Sequence, residues 1–88
     1  GDVDKDALKA MFVNNEIDSV TFTSSSTVTN LLDILGEDGA KMISSVKTAC
    51  IGPITMLTCE DHKITPTIVA EEYTISGLVE SIKKMFEI

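Results

Sequence analysis

Apolar positions along this chain alternate between a helical and an extended rhythm. Leu8, Met11 and Phe12 recur at the spacing of one helix face and predict a helix that Asp4 can cap and Asn14-Asn15 closes. Ser19-Val20-Thr21-Phe22-Thr23 then has the β-branched and aromatic content of a strand. Val28, Leu31, Leu32 and Leu35 return to the helical period, with Ser24 to Thr27 as cap candidates and Gly36 as the stop. Residues 37–45 predict a loop with one irregular helical turn at Ala40-Lys41-Met42-Ile43. Residues 46–51 predict a second strand, which Gly52-Pro53 breaks; Pro53 fits the first turn of a helix because its missing N–H is not needed there. That helix, over residues 54–62, is short and weakly amphipathic. Pro66 precedes a third strand, Thr67-Ile68-Val69-Ala70. The last helix has the strongest period: Ile75, Leu78, Val79, Ile82, Met85 and Phe86, with Thr74 as its N-cap.

A helix followed by three strand–helix units implies parallel pairing through right-handed crossovers. The predicted class is therefore α/β, a parallel three-stranded sheet with flanking helices. Such sheets are normally covered on both faces, and roughly five strands are typical, so about two are missing. The chain of 88 residues, beginning with Gly1 rather than Met, is expected to be one incomplete portion of a doubly wound domain. The first strand would pair with a strand from elsewhere in a parent chain. In the isolated piece its free edge invites a second copy, so a homodimer is expected.

Composition narrows the partners. With 43% hydrophobic and 24% charged residues the chain is globular. Its net charge of −7 and scattered lysines argue against a nucleic-acid face. No apolar run is long enough to span a membrane, and no secretory signal opens the chain. Cys50 and Cys59 fit no disulfide framework and are expected to be small core residues. Two free thiols suit a reducing compartment, which favours the cytoplasm. Cys59 and His62 lie three residues apart, and Cys50 could join them, but a zinc site usually shows four ligands in recognisable pairs; no metal is expected.

The remaining chemistry sits at three strand-to-helix junctions: Thr21 to Thr27, Ala49 to Thr55, and Ile68 to Thr74. In an open parallel sheet these share the carboxyl edge, where ligands bind. Gly52-Pro53-Ile54-Thr55 is neither a dinucleotide fingerprint nor a P-loop. Ser24, Ser25 and Ser26 lack the elbow motif of a nucleophilic serine, and the single His62 is expected near the opposite edge as a solvated helix-end residue. Ordinary capping explains hydroxyls at any one junction. Three helix starts facing one cleft could instead hold carboxylates by amide donation and dipole field, without arginine.

At these junctions the sequence resembles the C-terminal part of the uroporphyrinogen-III synthase family. The likeness rests on Ile17-Asp18-Ser19-Val20-Thr21-Phe22-Thr23-Ser24-Ser25-Ser26-Thr27-Val28, on Ala49-Cys50-Ile51-Gly52-Pro53-Ile54-Thr55, and on Ala70-Glu71-Glu72-Tyr73-Thr74-Ile75-Ser76-Gly77-Leu78-Val79. It covers nearly the whole chain from about Lys5, and the ordered blocks together are more specific than any one. The resemblance implies two flavodoxin-like domains with the substrate between them, this chain being the end portion of the discontinuous one. It implies cyclisation of the linear tetrapyrrole hydroxymethylbilane to uroporphyrinogen III with D-ring inversion, without cofactor or metal. By the same match Ser24, Ser25, Ser26, Gly52, Pro53 and Ile54 line the cleft, Thr55 lies near the reacting end as the catalytic candidate, and Thr74 and Ser76 are further binding candidates. Ser25 stands where many relatives have proline. Tyr73 is not assigned the general-acid role, which the resemblance gives to an upstream tyrosine; it is expected to pack on the last helix. The piece alone is expected to be inactive. The alternative is a non-enzymatic anion- or protein-binding α/β module that keeps the fold without the chemistry.

Overall fold

The computed structural model describes residues 5–87. Five helices and three strands follow in the order α1 (Lys5–Val13), β1 (Ser19–Phe22), α2 (Ser25–Leu35), α3 (Gly39–Ser44), β2 (Lys47–Cys50), α4 (Pro53–Asp61), β3 (Ile68–Val69) and α5 (Ile75–Glu87). The strands form one parallel sheet in the order β1-β2-β3, as the alternation of strand and helix predicts. The cap assigned to Asp4 lies outside the described residues. Asn15 adopts φ 58 after α1, a conformation asparagine tolerates well, and Gly36 adopts φ 81 after α2.

Side-chain alternation splits the interior in two. Phe22, Cys50 and Val69 are register partners on one face, where Phe12, Val28, Leu35, Ile43, Cys59 and Ile64 complete the larger core. Ala49 and Ile68 are partners on the other face, covered by Leu78, Ile82 and Met85 of α5. Helices α2 and α4 pack together, α1 and α3 lie against α2, and α5 lies on β2 and β3. Thr21, the partner of Ala49, belongs to the α5 face yet is exposed. Hence β1 is an edge strand with one uncovered face, as its mixed apolar and hydroxyl composition suggests.

Two elements differ from expectation. Residues 39–44 form a regular helix, α3, instead of a loop with one irregular turn. Burial of Ile43 in the larger core supplies the stabilisation that local periodicity does not reveal. The third strand is reduced to Ile68–Val69, but its pairing continues on both sides. Thr67 N–H donates to the Thr48 carbonyl at 2.8 Å, and Ala70 N–H donates to the Cys50 carbonyl at 2.8 Å. Thr48 is buried, and the Thr48 and Thr67 hydroxyls each accept from the other residue's N–H, so the short strand is held firmly in register. At the far end, the Lys47 ammonium donates to the Met85 carbonyl at 3.0 Å and lies over the Phe86 ring, 5.5 Å from its centroid. A cation there also complements the negative C-terminus of α5.

Candidate functional site

The three junctions lie together at the carboxyl edge of the sheet. Ile51 N–H donates to the Phe22 carbonyl at 3.0 Å, so β1 and β2 remain paired up to their ends. Beyond the strands, the Thr58 hydroxyl of α4 donates to Ser25 Oγ at 2.8 Å. The Tyr73 ring lies against Gly52. The first junction is thus tied to α4, and the second to the third.

At the first junction Ser24 is the N-cap of α2 in extended conformation. Thr27 N–H donates to Ser24 Oγ, and Ser24 N–H donates to Thr27 Oγ1, both at 3.3 Å. Threonine fills the position that glutamate or glutamine usually takes in this reciprocal box. Ser24 Oγ also lies 3.0 Å from Ser26 Oγ, which is exposed. Local capping therefore occupies Ser24, and the inter-helix bond engages Ser25.

The second junction is built differently. Gly52 is the N-cap of α4 and provides no side-chain cap, and Pro53 occupies the first turn. The early N–H groups of a helix have no intrahelical partner, so such a start keeps donors available for an external acceptor. Thr55 is buried, whereas Ile54 is 75% exposed. Ile51, Gly52, Pro53, Ile54, Thr55 and Tyr73 enclose a depression of about 170 Å³. The approach at the cap is close: a Cβ at position 52 would lie 3.1 Å from Tyr73 Cδ1 and 3.3 Å from Cε1, so the exposed ring would have to shift by a few tenths of an ångström.

Thr74 caps α5 at the third junction, its Oγ1 accepting from Gly77 N–H at 2.9 Å and lying 3.2 Å from Ser76 Oγ. Ser76 does not join the depression around Gly52. It lines another, of about 250 Å³, with Glu71, Glu72, Gly77, Glu80, Ser81 and Lys84. Lys84 is partnered there by Glu71 at 3.7 Å. The three carboxylates make that hollow a poor receptor for an anion.

Tyr73, left out of the site candidates, has its ring against Gly52 and is 69% exposed. Thr58 was also absent from the candidate residues. A tyrosine just beyond a strand, opposite a glycine cap, is the sequence signal for the first; nothing local signals a bond between residues 33 apart.

Cys50 and Cys59 are buried and free, with their sulfurs 3.6 Å apart beneath the second junction. Burial, then the nearby Cys59, pushes the Cys50 thiol up to about 12. Cys59 is raised too, chiefly by burial. Both are poor nucleophiles at neutral pH. Among the described residues no group of three or more His, Cys, Asp or Glu could hold a metal ion, and no helix is long and apolar enough to cross a membrane. His62 is exposed at the end of α4, as expected.

A parallel α/β sheet whose helix starts gather at its carboxyl edge defines the class: a portion of an α/β domain with its candidate ligand surface on that edge. Residues 1–80 match the family described as uroporphyrinogen-III synthase HemD, and the chain belongs to that family. A putative uroporphyrinogen-III synthase from Methanothermobacter thermautotrophicus is 38% identical over 73 residues, covering 80% of this chain and 28% of its own. The uroporphyrinogen-III synthase of Synechococcus elongatus is 39% identical over 69 residues, covering 74% of this chain and 26% of its own. This chain thus spans little more than a quarter of the curated relatives it matches. A Thermus thermophilus uroporphyrinogen III synthase structure shares the fold with a TM-score of 0.76 at 19% identity, over 91% of this chain and 33% of that one.

Proposed function

We propose that this chain is the C-terminal portion of a uroporphyrinogen-III synthase that cyclises hydroxymethylbilane to uroporphyrinogen III with inversion of the D ring. The observation that carries the reading is the family match over residues 1–80, coinciding with a fold that gathers the matched junction blocks on one edge. The hydroxymethyl group on the terminal ring opposite ring D loses its hydroxyl as water, leaving an electron-poor azafulvene. The substituted α-carbon of ring D attacks that methylene to form a spiro-pyrrolenine. The bond from this carbon to the bridge from ring C then breaks, and the bridge carbon closes onto the free α-carbon of ring D, which gives up its proton. Since the substrate generates its own electrophile, the protein's main task is to hold the two ends in reacting geometry.

In this reading the uncapped start of α4 at Gly52, Pro53 and Ile54 receives a substrate carboxylate, and Thr55 stands near the reacting D ring. Ser24, Ser25 and Ser26 border the tetrapyrrole on one side and Thr74 on the other; Ser76, in its acidic hollow, contributes least. The rest of the parent chain supplies the other wall of the cleft and a strand beside β1, whose edge can alternatively take a second copy of this chain. The two buried free thiols fit a cytoplasmic protein, a location that cell fractionation tests.

Incubating the full-length protein with hydroxymethylbilane tests the activity. Enzyme-dependent formation of the III isomer is expected, with no activity from the 88-residue piece alone; a full-length protein that yields no III isomer overturns the reading.

A further inference from the structure

The depression at the carboxyl edge is lined mainly by apolar groups, a chemistry that carboxylate binding leaves unused. Its polar side chains are Thr55, 4% exposed, and the Tyr73 hydroxyl; Ile51, Pro53 and Ile54 supply the remaining walls. Two of the walls are displayed to solvent, Tyr73 at 69% and Ile54 at 75%. Single exposed apolar residues need no explanation, but here two border the same hollow. Tyr73 is also seated, since its ring rests on a residue that has no side chain. An aromatic ring held against the backbone and bordered by aliphatic groups is a seat for a flat, uncharged ring.

Resting on the functional reading above, we infer that Tyr73 is a positioning residue whose ring stacks on one pyrrole ring of the tetrapyrrole, beside Thr55. The neighbouring hollow offers no competing seat. Glu71, Glu72 and Glu80 repel the carboxylates that every such ring carries, and so direct the ligand to the Tyr73 side. Gly52 has two functions in this arrangement: it lets the Tyr73 ring approach and it leaves the α4 start open. Stacking of this kind binds substrate and transition state alike, so it acts on KM more than on kcat.

The test uses the full-length protein with Tyr73→Ala and Tyr73→Phe, uroporphyrinogen III as the binding probe, and hydroxymethylbilane kinetics. Tyr73→Ala weakens uroporphyrinogen III binding and raises KM by on the order of three- to tenfold with kcat nearly unchanged, and Tyr73→Phe restores both. Equal affinity and KM in the alanine variant overturn the inference and leave the functional reading intact. A fall in Tm with unchanged affinity assigns Tyr73 to a contact within the parent protein and overturns it likewise. Failure of the unsubstituted protein to bind uroporphyrinogen III removes the functional reading and this inference with it.

Discussion

Gly77→Ala sets two effects of opposite sign against each other. Gly77 lies in the first turn of α5, where alanine should stabilise the helix by about 1 kcal/mol over glycine on propensity alone. The surroundings oppose this. A Cβ at position 77 would overlap the backbone carbonyl oxygen of Glu72, and would lie 3.0 Å from Glu72 Cβ and 3.1 Å from its carbonyl carbon. Ordinary contact begins near 3.4 Å, and the obstructing atoms are mainly backbone, so no side-chain rotation relieves the overlap. Forcing a methyl group into occupied space costs about 1–3 kcal/mol. Moving the Glu72 peptide also pulls on Thr74, whose hydroxyl accepts from Gly77 N–H and whose own N–H donates to the Glu72 carbonyl at 2.8 Å. Loss of such a cap adds about 1 kcal/mol. The net expectation is destabilisation by about 1–3 kcal/mol after the propensity gain is subtracted. Urea unfolding followed by circular dichroism measures it as a lower midpoint at constant m. A midpoint raised by the equivalent of about 1 kcal/mol would refute the close approach of Glu72 to α5.

Four further expectations follow from the same geometry. Folded protein at neutral pH should resist thiol alkylation at Cys50 and Cys59 and react at both once denatured, as mass spectrometry would reveal. Because burial raises the folded Cys50 value from 9.0 to about 12, the contribution of its neutral form to stability is intact below about pH 9 and is lost as pH climbs towards 12; a stability flat across that window speaks against buried thiols. Ser24→Ala removes the reciprocal cap of α2 and should cost about 1 kcal/mol, read from the unfolding midpoint, with an unchanged midpoint contradicting the cap. The isolated 88-residue chain should dimerise through the edge of β1, and sedimentation as a clean monomer at high concentration would dispose of that pairing.

Much of the architecture is legible because it is written in local periodicity. Val28 and Leu35 are buried on α2, Leu78 and Met85 on α5, and Gly36 and Pro53 act at the helix boundaries where their backbone chemistry suits them. Six residues of α3 are too few to display a period, and tertiary burial of Ile43 decides their conformation. Ile68–Val69 is shortened because Thr67 and Ala70 keep their hydrogen bonds to β2 while leaving the regular ladder. In the site, the shared edge follows from the order of strands and helices. The Ser25–Thr58 bond, the Tyr73–Gly52 contact and the meeting of the two cysteine sulfurs do not, because each depends on where separate elements come to rest in space. Ser76, a candidate by the family resemblance, lies 3.2 Å from Thr74 Oγ1 and borders the hollow that Glu71, Glu72 and Glu80 line, a placement set by the turn of α5 rather than by local sequence.

The most direct trial of the account is a titration of the full-length protein with uroporphyrinogen III, following backbone amide resonances. Shifts at Ser25, Gly52, Ile54 and Thr74 that saturate together are the predicted result. Saturation that leaves all four unmoved would show that the tetrapyrrole binds away from this edge, contradicting the account.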